Sequence, residues 1–167
     1  MDTMTLLSYL LQLIVALFGV GGDALVSVPS AATTTALVRE VVDGDTIRVR
    51  LATGEEATVR YIGIDTPEPY RDGEPACGAL EATAMNEQLV AGQTVTLVAD
   101  AEDRDRFDRL LRYVYVDETL INEVLVRDGY ATSLAISPNT RFADRFADYE
   151  AVAVRERRGI WAACEAI

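Results

Sequence analysis

The sequence predicts an α+β domain that is mainly β, a small closed barrel of five strands with about three helices. Three observations point there. Short runs rich in β-branched residues follow one another in meander order, turn residues separate them, and helical stretches fall between and after strands without β-α-β alternation or internal repeat. A doubly wound parallel sheet would require that alternation. With 167 residues, half of them hydrophobic, the chain can bury a sizeable core in one domain.

Residues 1–35 are set apart from that domain. The run 5–20 (TLLSYLLQLIVALFGV) carries no charge and is followed by Gly21, Gly22, Asp23 and a Ser/Ala/Thr-rich stretch through Thr35. Its length lies between a signal-peptide core and the ~20 apolar residues of a full membrane span. Asp2 stands where a positive flank is usual. The expectation is a signal peptide or membrane anchor plus linker over 1–35, with cleavage sites at Ser30, Ala31 and Ala32. The folded domain is then 36–167, a monomer that is secreted or tethered at the cell surface through residues 5–20. A buried core helix is the alternative for this apolar run.

From Ala36 the strands come in order. Residues 37–42, 46–51 and 57–64 read as a three-strand meander, divided by Asp43-Gly44 and by the turn at 53–56. Residues 79–90 (ALEATAMNEQLV) read as an amphipathic helix ended by Ala91-Gly92. Strands follow at 94–99 and 111–116. A short helix at 121–128 closes on Gly129, residues 130–136 run extended, and Ser137-Pro138-Asn139 breaks them. The last helix spans about 141–157, with Phe142, Phe146, Tyr149 and Val152 or Ala153 on its core face. Two cysteines, Cys77 and Cys164, would pair in an exported protein and stay free thiols in a cytosolic one.

Composition narrows the chemistry. All 15 basic residues are arginine, and histidine is absent. This argues against most zinc sites, Ser-His or Cys-His nucleophiles and histidine proton shuttles, and leaves carboxylates for acid-base work. Hard-cation chemistry on oxygen ligands stays open. Against the arginines stand 27 acidic residues, for a net charge of −12. Such a surface repels nucleic acid. A bound divalent cation with a few arginines can still make a cleft locally positive inside an acidic shell. A lysine-free acidic composition also suits high salt, where charge is screened within a few Å; a GC-rich genome favours arginine as well.

Three segments concentrate polar residues. Asp43-Gly44-Asp45-Thr46 is a turn by itself. In the second, 60–68 (RYIGIDTPE), Arg60 shares strand parity with Ile62 and Ile64, and two carboxylates and a hydroxyl follow around Pro67. The third, 104–111 (RDRFDRLL), alone would be a solvated charged loop. Together they supply acidic ligands, a spare carboxylate and arginines, the parts of a phosphoryl-transfer site.

In these motifs the chain resembles the staphylococcal nuclease, or thermonuclease, family. The matching segments are D-G-D-T at 43–46, R-x-x-x-x-D-T-P-E at 60–68, and Asp105, Arg106, Phe107, Arg109 and Leu111. They continue with N-E-x-L-V-R-x-G at 122–129 and G-I-W at 159–161, and cover about residues 38–161. The resemblance implies an OB-like barrel and a Ca²⁺-dependent nuclease acting on DNA, RNA or both. It implies metal ligation by Asp45, Asp65 and the Thr66 carbonyl. Glu68 would be the general base, and Arg60 and Arg109 would stabilise the five-coordinate phosphate.

Departures from the family accompany the match. Asp108 replaces a glycine, which predicts an altered loop or a carboxylate competing for Arg109. Leu134 and Ile136 stand where base-stacking tyrosines are expected, so substrate contacts would fall to Tyr70, Arg106 or Phe107. The spacing from Gly78 to Glu81 is one residue longer than in the family. Two other readings remain: an OB-type module that binds single strands without chemistry, and a structural calcium-binding domain. The second gives no reason for Arg60, Glu68 and Arg109 together.

Overall fold

The computed structural model describes residues 32–69 and 73–164. All of the described residues belong to one compact unit, Ala31–Ile167. The apolar run 5–20 and Tyr70 lie outside them.

Three antiparallel strands open the domain: β1 (Thr33–Val41), β2 (Thr46–Leu51) and β3 (Glu56–Tyr61). Alternation sets their faces. Ile47, Val49, Val59 and Tyr61 are buried while Arg48 and Arg50 point to solvent. β1 also pairs with β5 (Thr94–Val98), β5 with β6 (Leu110–Val116), and β6 returns to pair in parallel with β3. That last pairing closes a five-stranded mixed barrel and leaves none of the five strands at an open edge.

Two differences from the strands read in sequence are large. β1 begins at Thr33, and its first residues pair with β5, so 33–35 belong to the barrel and not to a linker. The expected strand 57–64 is two pieces: β3 ends at Tyr61, and Ile64–Asp65 forms β4, paired with β8 (Thr132–Ser133) in a separate small sheet. Gly63 causes the break. Its φ is +80°, and a Cβ there would lie 2.9 Å from the Phe146 ring. The parity shared by Arg60, Ile62 and Ile64 therefore does not hold, because the strand ends between them.

Helix α1 (Ala79–Val90) buries Ala79, Ala82, Asn86 and Val90 along one stripe. After the short β7 (Thr119–Leu120), helix α2 (Ile121–Arg127) packs against β6. There Asn122 accepts from the Val114 amide at 2.9 Å and donates to the Ile62 carbonyl at 2.8 Å. Helix α3 (Ala143–Glu156) inserts Phe146 and Ala153 into the core, and Phe142 meets the Tyr113 ring edge-on at 4.7 Å. Within 130–136, strand pairing is limited to β8 and an isolated bridge from Ile136 to Asn139. The short α4 (Ile160–Ala163) is followed by Cys164, which is joined to Cys77 by a disulfide.

Candidate active site

The loop from Val42 to Asp45 links β1 to β2, and four hydrogen bonds hold it. Its backbone amides at Val42 and Asp43 donate to the Thr46 carbonyl, the Asp43 carboxylate accepts from the Asp45 amide, and Asn86 donates to the Asp43 carbonyl at 2.9 Å. Asn86 in turn accepts from the Tyr61 hydroxyl at 3.0 Å. Gly44 is not a positive-φ turn residue. Its role is steric: a Cβ would sit 2.7 Å from the Thr66 hydroxyl oxygen. Glycine lets the loop close on the 64–68 segment, so Asp45 reaches Thr66.

Asp45 is almost fully buried. Its Oδ2 accepts from the Thr66 amide at 2.8 Å and from the Thr66 hydroxyl at 3.0 Å, and Thr46 donates to Oδ1 at 3.2 Å. Burial pushes its carboxyl up to about 7; Arg60 opposes that shift, Asp43 adds to it, and the Thr66 bonds oppose it. The backbone placement follows from register. Thr46 pairs with Arg60 across β2 and β3, and the Tyr61 amide donates to the Asp45 carbonyl.

Arg60 joins two carboxylates from separate segments, the β1–β2 loop and β4. Its Nη1 forms an ion pair with Asp45, and its Nη2 donates to Asp65 Oδ1 at 2.5 Å. The arginine side chain is 14% exposed and Asp65 48%. Nη1 is buried against the Asp45 carboxylate, with no other polar partner among the described residues. Glu68 follows at the exposed end of the segment, and its carbonyl accepts from the Ala76 amide at 3.1 Å.

Arg109 arrives by a different route. It stands just before β6, whose parallel pairing sets Leu111 opposite Arg60. The Asp105 carboxylate accepts from the Phe107 amide, the Arg109 amide and the Arg109 Nε, at 2.9, 3.0 and 2.7 Å. Partial burial raises the Asp105 carboxyl, but these bonds outweigh it and hold the carboxyl below its usual range. Asp108 has φ +66°, which explains the family's glycine, and aspartate is among the side chains that tolerate this conformation. Its carboxylate pairs with Arg104 at 3.2 Å and leaves Arg109 to Asp105.

Arg60 and Arg109 both line a cleft of about 470 Å³. Its other wall carries Leu134 and Ile136, with Phe107 65% exposed under the Arg106 guanidinium, 4.6 Å from the ring centre. Asn139 and Glu102, both in the lining, are joined to each other: Asn139 accepts from the Glu102 amide at 2.7 Å and donates to the Glu102 carbonyl at 3.0 Å. Asp45, Asp65 and Glu68 are not among the cleft-lining residues; Arg60 and Ile64 connect them to it. Among the described residues no group of three ligating side chains is ready-made for a metal. Two carboxylates meeting at one guanidinium, one of them too deeply buried for that single positive charge, nonetheless suit a hard cation with a carbonyl as third donor.

Asn86 is a support that the sequence reading does not single out, and Asp105 is one it names in the third motif without giving it a role. The signals were a polar residue on the buried stripe of α1, and the i,i+4 spacing of Asp105 and Arg109.

A family model described as "Staphylococcal nuclease homologue" matches residues 58–163. The chain is 40% identical over 123 residues to the SPbeta prophage-derived endonuclease YokF of Bacillus subtilis (strain 168), covering 72% of this chain and 41% of that protein. It is 32% identical over 125 residues to the thermonuclease of Staphylococcus hyicus, covering 74% and 73%. With endonuclease YncB of Bacillus subtilis (strain 168) it shares 37% over 123 residues, covering 72% and 58%. The chain thus spans less than two thirds of YokF and of YncB.

Proposed function

The chain belongs to the staphylococcal nuclease family, and from that premise we propose that it is an exported, Ca²⁺-dependent nuclease that hydrolyses phosphodiester bonds of DNA or RNA. One observation carries the reading: the Arg60 guanidinium meets the carboxylates of Asp45 and Asp65 and also borders a cleft shared with Arg109. Asp45, Asp65 and the Thr66 carbonyl would hold the cation. When bound, Ca²⁺ supplies Lewis-acid stabilisation of a non-bridging phosphate oxygen. Glu68, exposed beside these ligands, accepts the proton of the attacking water. Arg60 and Arg109 present planar N–H pairs to the phosphate as its charge grows, and Asp105 keeps Arg109 oriented. Arg106 and Phe107 contact the adjoining nucleotide. The apolar run at 5–20 and the Cys77–Cys164 bridge support export, either released or tethered.

The aliphatic wall of the cleft, with Phe107 exposed, favours one second reading, a module that binds single strands without cutting them. One experiment separates the two. Purified protein is incubated with single-stranded DNA and RNA in calcium or chelator, beside Glu68→Gln. Calcium-dependent cleavage that drops by ~10²–10⁴ in Glu68→Gln is expected for loss of a general base. Binding without cleavage in both proteins would sink the enzyme and leave the module.

A further inference from the structure

We propose that the Cys77–Cys164 disulfide is a positioning device for Glu68, which places turnover under thiol control. The inference rests on the reading of Glu68 as general base. Arg60 and Arg109 are each gripped by carboxylates, but among the described residues no side chain holds the Glu68 carboxylate. Its place depends on backbone. Upstream, β4 and Thr66 anchor it through Asp45 and β8. Downstream, its carbonyl accepts from Ala76, the residue before Cys77.

Besides the bridge, this downstream anchor is held by the Ala79 amide, which donates to the Ala76 carbonyl at 3.0 Å, and by buried Gly78, where a Cβ would lie 2.4 Å from the Ile160 side chain. Helix α1 starts at Gly78 without a side-chain cap, and Cys77 is exposed. The partner cysteine is secured. Its amide donates to the Ile160 carbonyl at 2.8 Å, Ile160 is buried, and the Ile160 amide donates to the Gly129 carbonyl at 2.9 Å. Gly129 approaches this tail so closely that a Cβ would lie 2.4 Å from the Arg158 carbonyl oxygen. The bridge thus transmits the rigidity of the α2 and α4 contact through Cys77 to Ala76, and from there to Glu68.

Because Cys77 is exposed, a thiolate can reach the bridge. One thiolate of a dithiol attacks a bridge sulfur and displaces the other cysteine as thiolate. The second thiol of the reductant then closes its own disulfide and frees the first cysteine. Two electrons and two protons pass from the dithiol to Cys77 and Cys164.

The test uses the full chain, oxidised or reduced with dithiothreitol, well below its melting transition. Reduction should lower kcat by about tenfold or more, since small misplacements of a reacting group are costly, while KM for single-stranded DNA stays within about twofold. Cys77→Ser/Cys164→Ser should match the reduced enzyme and ignore the reductant. In Glu68→Gln the residual rate should be the same in both redox states. Hydrogen exchange over residues 73–79 should quicken on reduction while amides of β1, β2 and β5 keep their protection. An unchanged kcat, an equal loss in Glu68→Gln, or unaltered exchange at 73–79 would each overturn the proposal. An oxidised wild type that cleaves nothing would defeat the nuclease reading itself, and the exchange measurement would still decide whether the bridge holds the segment.

Discussion

Arg60 and Arg109 carry the same charge into the same cleft, yet they are built in opposite ways. Arg60 is held by separate pieces: Asp45 reaches it from the loop before β2 and Asp65 from β4, and it is 14% exposed. Arg109 is local. Its anchor Asp105 lies four residues away, the bonds between them stay inside one turn, and it is 31% exposed. The contrast teaches that the hold on one arginine is assembled from two segments flanking the β2–β3 hairpin, whereas the hold on the other stays within its own loop.

The sharpest way to break the comparison is to remove the planar donor set from each. Arg60→Lys should lower turnover by about 10²–10³, because lysine keeps charge but cannot bridge two carboxylates or offer a two-pronged contact to phosphate. Arg109→Lys should lower turnover too. The two should part in stability. Denaturant melts should find Arg60→Lys destabilised, since it weakens a buried pairing, and Arg109→Lys changed by less than about 1 kcal/mol, as for partly exposed pairs. Equal destabilisation of both would erase the distinction.

Next in size is Asp105→Asn, which should cost about tenfold in turnover by loosening Arg109 without touching Arg60, a loss of roughly the size expected when a positioning contact to a catalytic group is weakened. It also has a pH signature. The folded-state carboxyl lies below its unfolded value, so its stabilisation is present above about pH 4 and disappears as pH falls through the lowered value. The gap in melting temperature between wild type and Asp105→Asn, clear at pH 6, should therefore close below pH 4. A gap that widened in acid would reverse the assigned sign.

Asp108→Gly should have a small effect. Glycine relieves the left-handed backbone but removes an exposed ion pair to Arg104, so stability should shift by less than about 1 kcal/mol and turnover by less than about twofold. A large loss of activity would show that Asp108 acts on Arg109 after all.

The smallest and most diffuse test is salt. With a net charge of −12, thermal stability should rise as NaCl approaches 1 M, because screening shortens to about 3 Å and relieves self-repulsion. A protein most stable in dilute buffer would refute the salt-adapted surface.

Much of this molecule was legible in one dimension because its signals are local. The period-two alternation of β2, the helical stripe of α3 and the turn dipeptides specify elements directly. The barrel class followed from their order, and the family followed from motifs such as D-G-D-T and D-T-P-E. The Asp105 to Arg109 spacing was equally visible.

What only the tertiary structure decided is non-local. Gly44 read as a turn residue, but its smallness matters because Thr66 packs 2.7 Å from where a Cβ would be. Residues 57–64 read as one strand, but contact with Phe146 and the positive φ at Gly63 divide it and send Asp65 toward β8. The parallel joining of β3 to β6, which brings Arg109 beside Arg60, has no sequence pattern of its own. Alternation, caps and turns depend on neighbours a few bonds away and are written in the chain; approaches across 20 or 50 residues depend on which surfaces exclude water together, and that is settled only when the barrel closes.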